Sequence, residues 1–227
     1  MLISVIIPAF NEAGSVAEVI REVARLSFEK EILVVDDGSQ DGTRMLVRKL
    51  ENEIRGLRGL YFPENQGKGF AIKAGIRAAR GDIVVIQDAD REYPPFQITG
   101  LVEELMRDPE IAAVFGSRKL KKNPMSYRRY YWGGRFLTGM VNLFGKTNLT
   151  DVTTGHKAIR WKMLENLELK ADGFEIETEI VMKLLRYGYR IKEIPIDYSP
   201  RSFEEGKKIR WTDGLKSIWA ILKFRKF

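Results

Sequence analysis

At 227 residues with 44% apolar content, the chain has material for one sizeable core, and a single domain over 1–227 is the economical expectation. It has no cysteine and one histidine, His156, which excludes disulfides, zinc-thiolate sites, thiol nucleophiles and multi-histidine metal centres. The net charge of +7 is uneven: residues 116–135 hold seven basic side chains and no acid, and residues 201–227 hold eight basic against three acidic. Two basic segments on an otherwise acidic chain suit anionic partners such as phosphates, lipid headgroups or nucleic acid, although Lys119 to Lys122 also read as a solvated face.

The start MLISVIIPAF lacks a basic leader and its apolar run stops at Pro8, so it reads as a first strand and not as a signal peptide. Further strand-like runs are 31–35, 57–62, 82–87 and 111–116. Between them lie amphipathic stretches. In the first, Ser15 and Glu18 have capping-box spacing and Val16, Val19, Ile20, Val23 and Leu26 form a helical stripe; the others run about 42–53, 69–80 and 95–106. This βαβα order predicts an α/β fold with a mostly parallel sheet covered on both faces, and a ligand crevice at the carboxyl ends of the strands. The second half is less regular, with helices expected at 127–145, 175–187 and 212–224 and strands at 155–161 and 189–198. Residues 1–120 read as a nucleotide-binding half and 121–227 as an acceptor-side half. No run reaches the roughly 18 to 20 apolar residues of a membrane span, so a soluble or peripheral protein is expected.

The chemistry concentrates where an apolar strand meets acids, at Val84-Val85-Ile86-Gln87-Asp88-Ala89-Asp90-Arg91-Glu92. Alternation along an extended chain would place Asp88, Asp90 and Glu92 on one side, three oxygen donors suited to a hard divalent cation that shares its shell with substrate phosphates. A solvated acidic turn ended by Pro94-Pro95 is the other reading. Two earlier strands also run into acids and turn residues, Pro8-Ala9-Phe10-Asn11-Glu12 and Val34-Val35-Asp36-Asp37-Gly38-Ser39-Gln40-Asp41-Gly42-Thr43. Acids there can accept from ribose or base, a following helix start can face phosphate, and Asp41 can be a helix cap. Glu64-Asn65-Gln66-Gly67-Lys68-Gly69 departs from a Walker loop, with Phe62 where a glycine is required, and no dinucleotide fingerprint follows the first strand.

These motifs, in this order and spacing, resemble glycosyltransferase family 2 with the GT-A fold. Gly116-Ser117-Arg118, Asp151-x-x-x-Gly155-x-Lys157 and Arg201 through Gly206-Lys207-Lys208 further resemble its polyprenyl- or dolichyl-phosphate hexose synthase branch. The resemblance implies an inverting, metal-dependent transfer of hexose from GDP-mannose or UDP-glucose to a polyprenyl or dolichyl phosphate, with Mg²⁺ or Mn²⁺ as cofactor. It implies that Pro8, Ala9, Asn11 and Glu12 line the nucleoside pocket, that Val35 and Asp37 meet base or ribose, and that Lys68 sits by the nucleotide. Asp88, Ala89 and Asp90, with Glu92, would approach the metal and the donor diphosphate. A glutamine often fills the position of Glu92 in the mannose synthases. Arg118 and Arg128 match acceptor-phosphate positions, with Arg129 a near alternative, and Trp132 stands where a serine often follows. Arg201 and Lys207 or Lys208 fall on a loop that closes over the donor phosphates. The catalytic set so implied is Asp90, Arg118 and Arg128. The expected setting is the cytoplasmic face of a membrane, as a peripheral protein without nucleic acid and with room for a separate membrane-embedded partner.

On chemical grounds alone, a lipid phosphate is largely dianionic at neutral pH and needs no strong general base. A hydroxyl acceptor would need one, from among the acids between Glu175 and Glu179. A non-enzymatic nucleotide or nucleic-acid binding module is the rival from another class. His156 reads as a structural residue or a substrate contact. The aromatic and basic segments 127–144 and 211–227 read as core packing with a solvated back, or as interfacial helices.

Overall fold

The computed structural model describes residues 1–125, 127–202, 204, 206, 208 and 211–225. Its first part alternates strand and helix: β1 (Ile3–Ala9), α1 (Val16–Ala24), β2 (Lys30–Asp37), α2 (Thr43–Glu53), β3 (Leu57–Phe62), α3 (Lys68–Ala78), β4 (Ile83–Ile86), α4 (Ile98–Arg107) and β5 (Ile111–Ser117). Then follow α5 (Arg128–Gly145), β6 (Lys157–Arg160), α6 (Trp161–Glu165), α7 (Ile176–Arg186), β7 (Arg190–Pro195) and α8 (Trp211–Phe224). The seven strands form one sheet in the order β3-β2-β1-β4-β6-β5-β7. Every neighbouring pair is parallel except those of β6, which runs antiparallel between β4 and β5.

The inner strands β1, β2, β4 and β5 are buried on both faces, as parallel strands between helices must be, while the edge strands β3 and β7 are partly exposed. Val5, Ile7, Val34 and Val85 pack under α1, α2 and α4, while Ile6, Leu33, Val84 and Ile86 pack under α3, α5, α7 and α8. The expected α/β class, mostly parallel sheet and two covered faces are therefore present. The second half is woven into the first, because β6 sits beside β4 and places residues 151–157 against the acidic end of that strand.

Several local expectations give way to stronger partners. Ser15 makes no side-chain cap on α1; its hydroxyl donates to Glu12 Oε2 at 3.1 Å, and Glu18 pairs with Arg91 instead. Asp41 lies one residue before the cap position, held by Gly42, and accepts from the Thr43 N–H at 3.1 Å. Trp161, expected at a strand end, opens the short helix α6.

Candidate active site

The carboxyl ends of β1, β2 and β4 open into a cavity of about 1270 Å³. Its first wall is built by loops that tie one another down. After β1, Asn11 takes a left-handed backbone (φ 49°), a conformation asparagine tolerates. Its N–H donates to Ser39 Oγ at 2.9 Å and its side-chain oxygen accepts from Gln40 N–H at 2.8 Å. Glu12 N–H donates to Thr43 Oγ1 at 2.8 Å. The turn residues after β2 thus fix the loop after β1, and Pro8, Ala9, Asn11 and Glu12 all line the cavity.

Asp37 lines the cavity too, but its carboxylate is engaged by the chain: it accepts from Gln66 N–H and Gly67 N–H, the latter at 2.7 Å. Burial pushes this carboxyl up and those two amides pull it back. Val35 is fully buried in the core and does not reach the cavity with its side chain, because it points inward from β2.

The start of α3 does not face a phosphate as a helix start can. Gly69 N–H and Phe70 N–H both donate to the Asp172 carbonyl, at 2.7 and 3.1 Å. A Cβ on Gly67 would stand 2.3 Å from that carbonyl oxygen, and one on Gly69 would stand 2.5 Å from the Ala171 oxygen. The two glycines around Lys68 therefore let the 171–173 backbone lie against the helix start. Lys68 itself turns into the cavity, with Nζ 2.7 Å from Asp88 Oδ1 and 2.9 Å from Glu177 Oε1.

β4 stops at Ile86, and residues 88–92 bend instead of continuing extended. The Glu92 N–H donates to Asp90 Oδ1 at 3.0 Å, the local bond by which aspartate turns the backbone two residues on. This turn corrects the expectation that Glu92 shares one side with the aspartates as a third metal ligand. Its Oε2 accepts from the Tyr198 hydroxyl at 3.1 Å and its Oε1 from the Arg201 N–H at 2.8 Å. Among the described residues no group of three or more acidic or histidine side chains is placed to hold a metal ion. Asp88 and Asp90 remain as two carboxylate donors. Burial, and next the Asp88 charge, push the Asp90 carboxyl up against the pull of Arg201, a conflict that a bound cation would relieve.

Arg201 spans the mouth of this corner, with NH2 2.6 Å from Asp90 Oδ2 and NH1 2.9 Å from Glu12 Oε2. Lys208 joins it on Glu12 and on the Phe10 carbonyl. Arg201 and Lys208 of the loop expected to close over the donor phosphates thus lie against Glu12, with Arg201 also on Asp90, while Lys207 lies outside the described residues.

Toward the other end of the cavity stands Arg118. It makes a two-pronged bond to Asp151, Nε to Oδ2 at 2.6 Å and NH2 to Oδ1 at 2.7 Å, and stacks 5.0 Å from the Tyr198 ring. Burial opposes the charge of Asp151, but the guanidinium beside it wins and holds the carboxyl below its ordinary value. Arg128, expected to share the acceptor phosphate, is exposed at the first residue of α5 and does not line the cavity; Arg129 does, so the near alternative is the better placed. Lys119, Lys121 and Lys122 line it too, and beyond them the lining turns apolar with Phe136 and Leu137 of α5 and Trp211, Leu215 and Ile218 of α8.

Asp151, Glu177, Tyr198 and Lys157 hold Arg118, Lys68, Glu92 and Glu177 in place, an anchoring role not expected from the sequence, where Glu177 stood only among the acids that could serve a hydroxyl acceptor as base. The Asp151-x-x-x-Gly155-x-Lys157 pattern was the available signal. His156 is fully buried with neither ring nitrogen bonded, and burial followed by the Lys157 charge pulls it down to about 3. A neutral ring 5.7 Å from Tyr93 is a packing residue.

A parallel sheet with an acidic corner at its strand ends is the architecture of the GT-A glycosyltransferases. Glucosyl-3-phosphoglycerate synthase from Mycobacterium tuberculosis, solved in complex with uridine diphosphate, shares it with a TM-score of 0.76 at 21% identity, covering 99% of this chain and 80% of that one. Residues 4–168 match the family model "Glycosyl transferase family 2". The chain belongs to that family. An undecaprenyl-phosphate mannosyltransferase from Micrococcus luteus is 32% identical over 99% of both chains. A dolichol-phosphate mannosyltransferase from Pyrococcus furiosus is 30% identical over 99% of this chain, which spans 64% of that relative's length.

Proposed function

We propose that the protein transfers a hexose from a nucleoside diphosphate sugar to a polyprenyl-type phosphate. The observation that carries this is the continuity of one cavity from the Asp88–Asp90 corner, past Arg118 and Arg129, to an apolar floor between α5 and α8. A donor diphosphate belongs at the acids, where Mg²⁺ or Mn²⁺ held by Asp88 and Asp90 would stabilise charge on the leaving oxygen as a Lewis acid. Arg201 and Lys208 lie within reach of the same charge. A lipid phosphate belongs at Arg118 and Arg129, with its isoprenoid chain along Phe136, Leu137, Leu215 and Ile218. Of these arginines, Arg118 has the geometry of an anchored fork, since Asp151 fixes one edge of its guanidinium.

In the reaction an oxygen of the acceptor phosphate attacks the anomeric carbon, forming a C–O bond as the bond from that carbon to the diphosphate breaks. Nucleoside diphosphate leaves with the electron pair. One displacement inverts the anomeric centre, and a dianionic acceptor has no proton to surrender. GDP-mannose and UDP-glucose are both retained as donors.

The aromatic and basic faces of α5 and α8 favour work at a membrane surface. Trp132, Phe136 and Leu143 of α5 and Trp211, Leu215 and Trp219 of α8 are exposed, and Lys223 lies 4.4 Å over the Trp219 ring. Among the described residues no helix is long and apolar enough to cross a membrane. We place the enzyme peripherally on the cytoplasmic face.

A transfer assay with radiolabelled GDP-mannose and UDP-glucose, each offered to a short polyprenyl phosphate with and without Mn²⁺, tests the reading. Labelled lipid product with one of the donors, dependent on the metal, is expected. No product from folded protein in any combination would defeat it.

A further inference from the structure

The proposed mechanism leaves unused the buried charges that lie behind Asp88. Lys157 of β6, with no exposed surface, meets Glu177 Oε2 and the Thr154 carbonyl; Glu177 Oε1 in turn lies 2.9 Å from Lys68 Nζ, which lies 2.7 Å from Asp88 Oδ1. The four charges alternate in sign from the core to the donor corner, and they come from four separate places in the chain. Of the acids between Asp172 and Glu179, Glu177 alone lines the cavity. Asp172 pairs with Lys73 at 2.6 Å, Glu175 accepts from Gly173 N–H, and Glu179 accepts from Lys170 and Ala171 N–H and meets Lys183 at 2.7 Å.

We propose that Glu177 is a positioning residue for the donor site: it holds the Lys68 ammonium against Asp88, and Lys157 beneath it keeps it from drawing Lys68 away. The inference rests on the assignment of Asp88 to the donor diphosphate. Both carboxylate oxygens of Glu177 face an ammonium group, so neither is left to take a proton from an acceptor. A single buried carboxylate beside Lys68 would compete with Asp88 for it; Lys157 satisfies the far oxygen and balances that pull. The packing leaves no slack at this point. A Cβ on Gly155 would stand 2.2 Å from Asp88 Oδ2 and 3.1 Å from Lys68 Nζ, so the chain entering β6 passes directly against the pair. With Lys68 fixed on one oxygen of Asp88, that carboxylate keeps a set orientation for the cation it would hold with Asp90, and Lys68 contributes its charge to the diphosphate end without swinging into the acceptor path.

The test compares wild type with E177Q and with K157M/E177Q, reading donor KM and kcat in the transfer assay and the affinity for GDP and UDP with Mn²⁺ by calorimetry. E177Q is expected to raise donor KM and the nucleotide Kd by roughly tenfold while kcat stays within about threefold, the pattern of lost ground-state organisation. The double variant removes the unpaired Lys157 charge and leaves the introduced amide oxygen able to accept from Lys68, so most of the affinity should return. Where E177Q does not fold, K157M/E177L gives the decision: with no oxygen left to hold Lys68, a roughly tenfold rise in donor KM at retained kcat supports positioning, and a wild-type donor KM overturns it. A hundredfold fall in kcat at unchanged donor KM, in either variant, overturns the proposal and makes Glu177 a general base. Unchanged kinetics and affinity in E177Q overturn it as well. Wild type that binds neither nucleotide defeats the donor-site assignment itself, which is a separate result.

Discussion

Asp90 sits between Asp88, whose charge raises it, and Arg201, whose charge lowers it, in a place where burial already disfavours ionisation. Replacing it with asparagine removes a like-charge conflict while keeping its shape. D90N should therefore fold with stability within about 1 kcal/mol of wild type by urea denaturation, yet lose roughly a hundredfold or more in transfer. His156 has the opposite character. Its folded-state pKa of about 3 lies below the unfolded value of about 6.5, so the unfolded chain binds the extra proton in that window. Stability from His156 is present above pH 6.5 and is lost as pH falls toward 3. Between pH 6.5 and 5 wild type should lose on the order of 2 kcal/mol more than H156Q, measured by denaturation at both pH values. Equal slopes for the two proteins would contradict the buried neutral ring. Most residues lining the acidic part of the cavity were legible in sequence because Pro8, Asn11, Glu12, Asp37, Asp88 and Asp90 directly follow strand-like runs, whose ends must share one edge of a parallel sheet. Glu92 was misplaced because the turn that redirects it depends on a local bond to Asp90, and its partners Tyr198 and Arg201 are more than a hundred residues away.

At the level of elements, the start of α3 shows how a motif can carry packing and chemistry together. G69A should cost about 1–3 kcal/mol, since its methyl would meet the backbone of 171–173. G139A, in the exposed middle of α5 with nothing near its Cβ direction, should instead stabilise by about 0.5–1 kcal/mol. Thermal or urea unfolding of the two variants separates the effects by sign. The helices α5 and α8 lie where the sequence predicts helices, at 127–145 and 212–224, and Leu137, Val141 and Ile221 face the core. The exposed set, Trp211, Leu215, Trp219 and Leu222, repeats at helical spacing along one side of α8. L215E/W219E should reduce sedimentation with anionic vesicles several-fold while leaving GDP or UDP affinity unchanged, because Leu215 lines the cavity only where it turns apolar and Trp219 does not line it. Vesicle binding that survives both charges would remove α8 from the membrane face. What periodicity could not give was the position of β6, a four-residue strand whose antiparallel place beside β4 is decided by tertiary pairing.

Across the whole molecule, the two basic segments noted in the sequence serve different ends of one cavity. Residues 118–129 bring Arg118, Lys119, Lys121, Lys122 and Arg129 to one part of its lining, and Arg201 and Lys208 bring charge to the Asp88–Asp90 corner. The α/β class followed from alternating periods of about two and 3.6 residues, which any core must respect. The pairing of Arg118 with Asp151, and of Lys68 with Glu177, joins residues far apart in sequence; neither has a local signature, so the anchoring of the site had to come from the fold. The central claim concerns the acceptor, and it is tested most directly by offering the same donor, with Mn²⁺, to a polyprenyl phosphate and to the polyprenol of equal length. Lipid-linked hexose formed on the phosphate alone, with the anomeric configuration inverted, is the result predicted. Transfer to the alcohol at a comparable rate, or to neither while the nucleotide sugar binds, would contradict it.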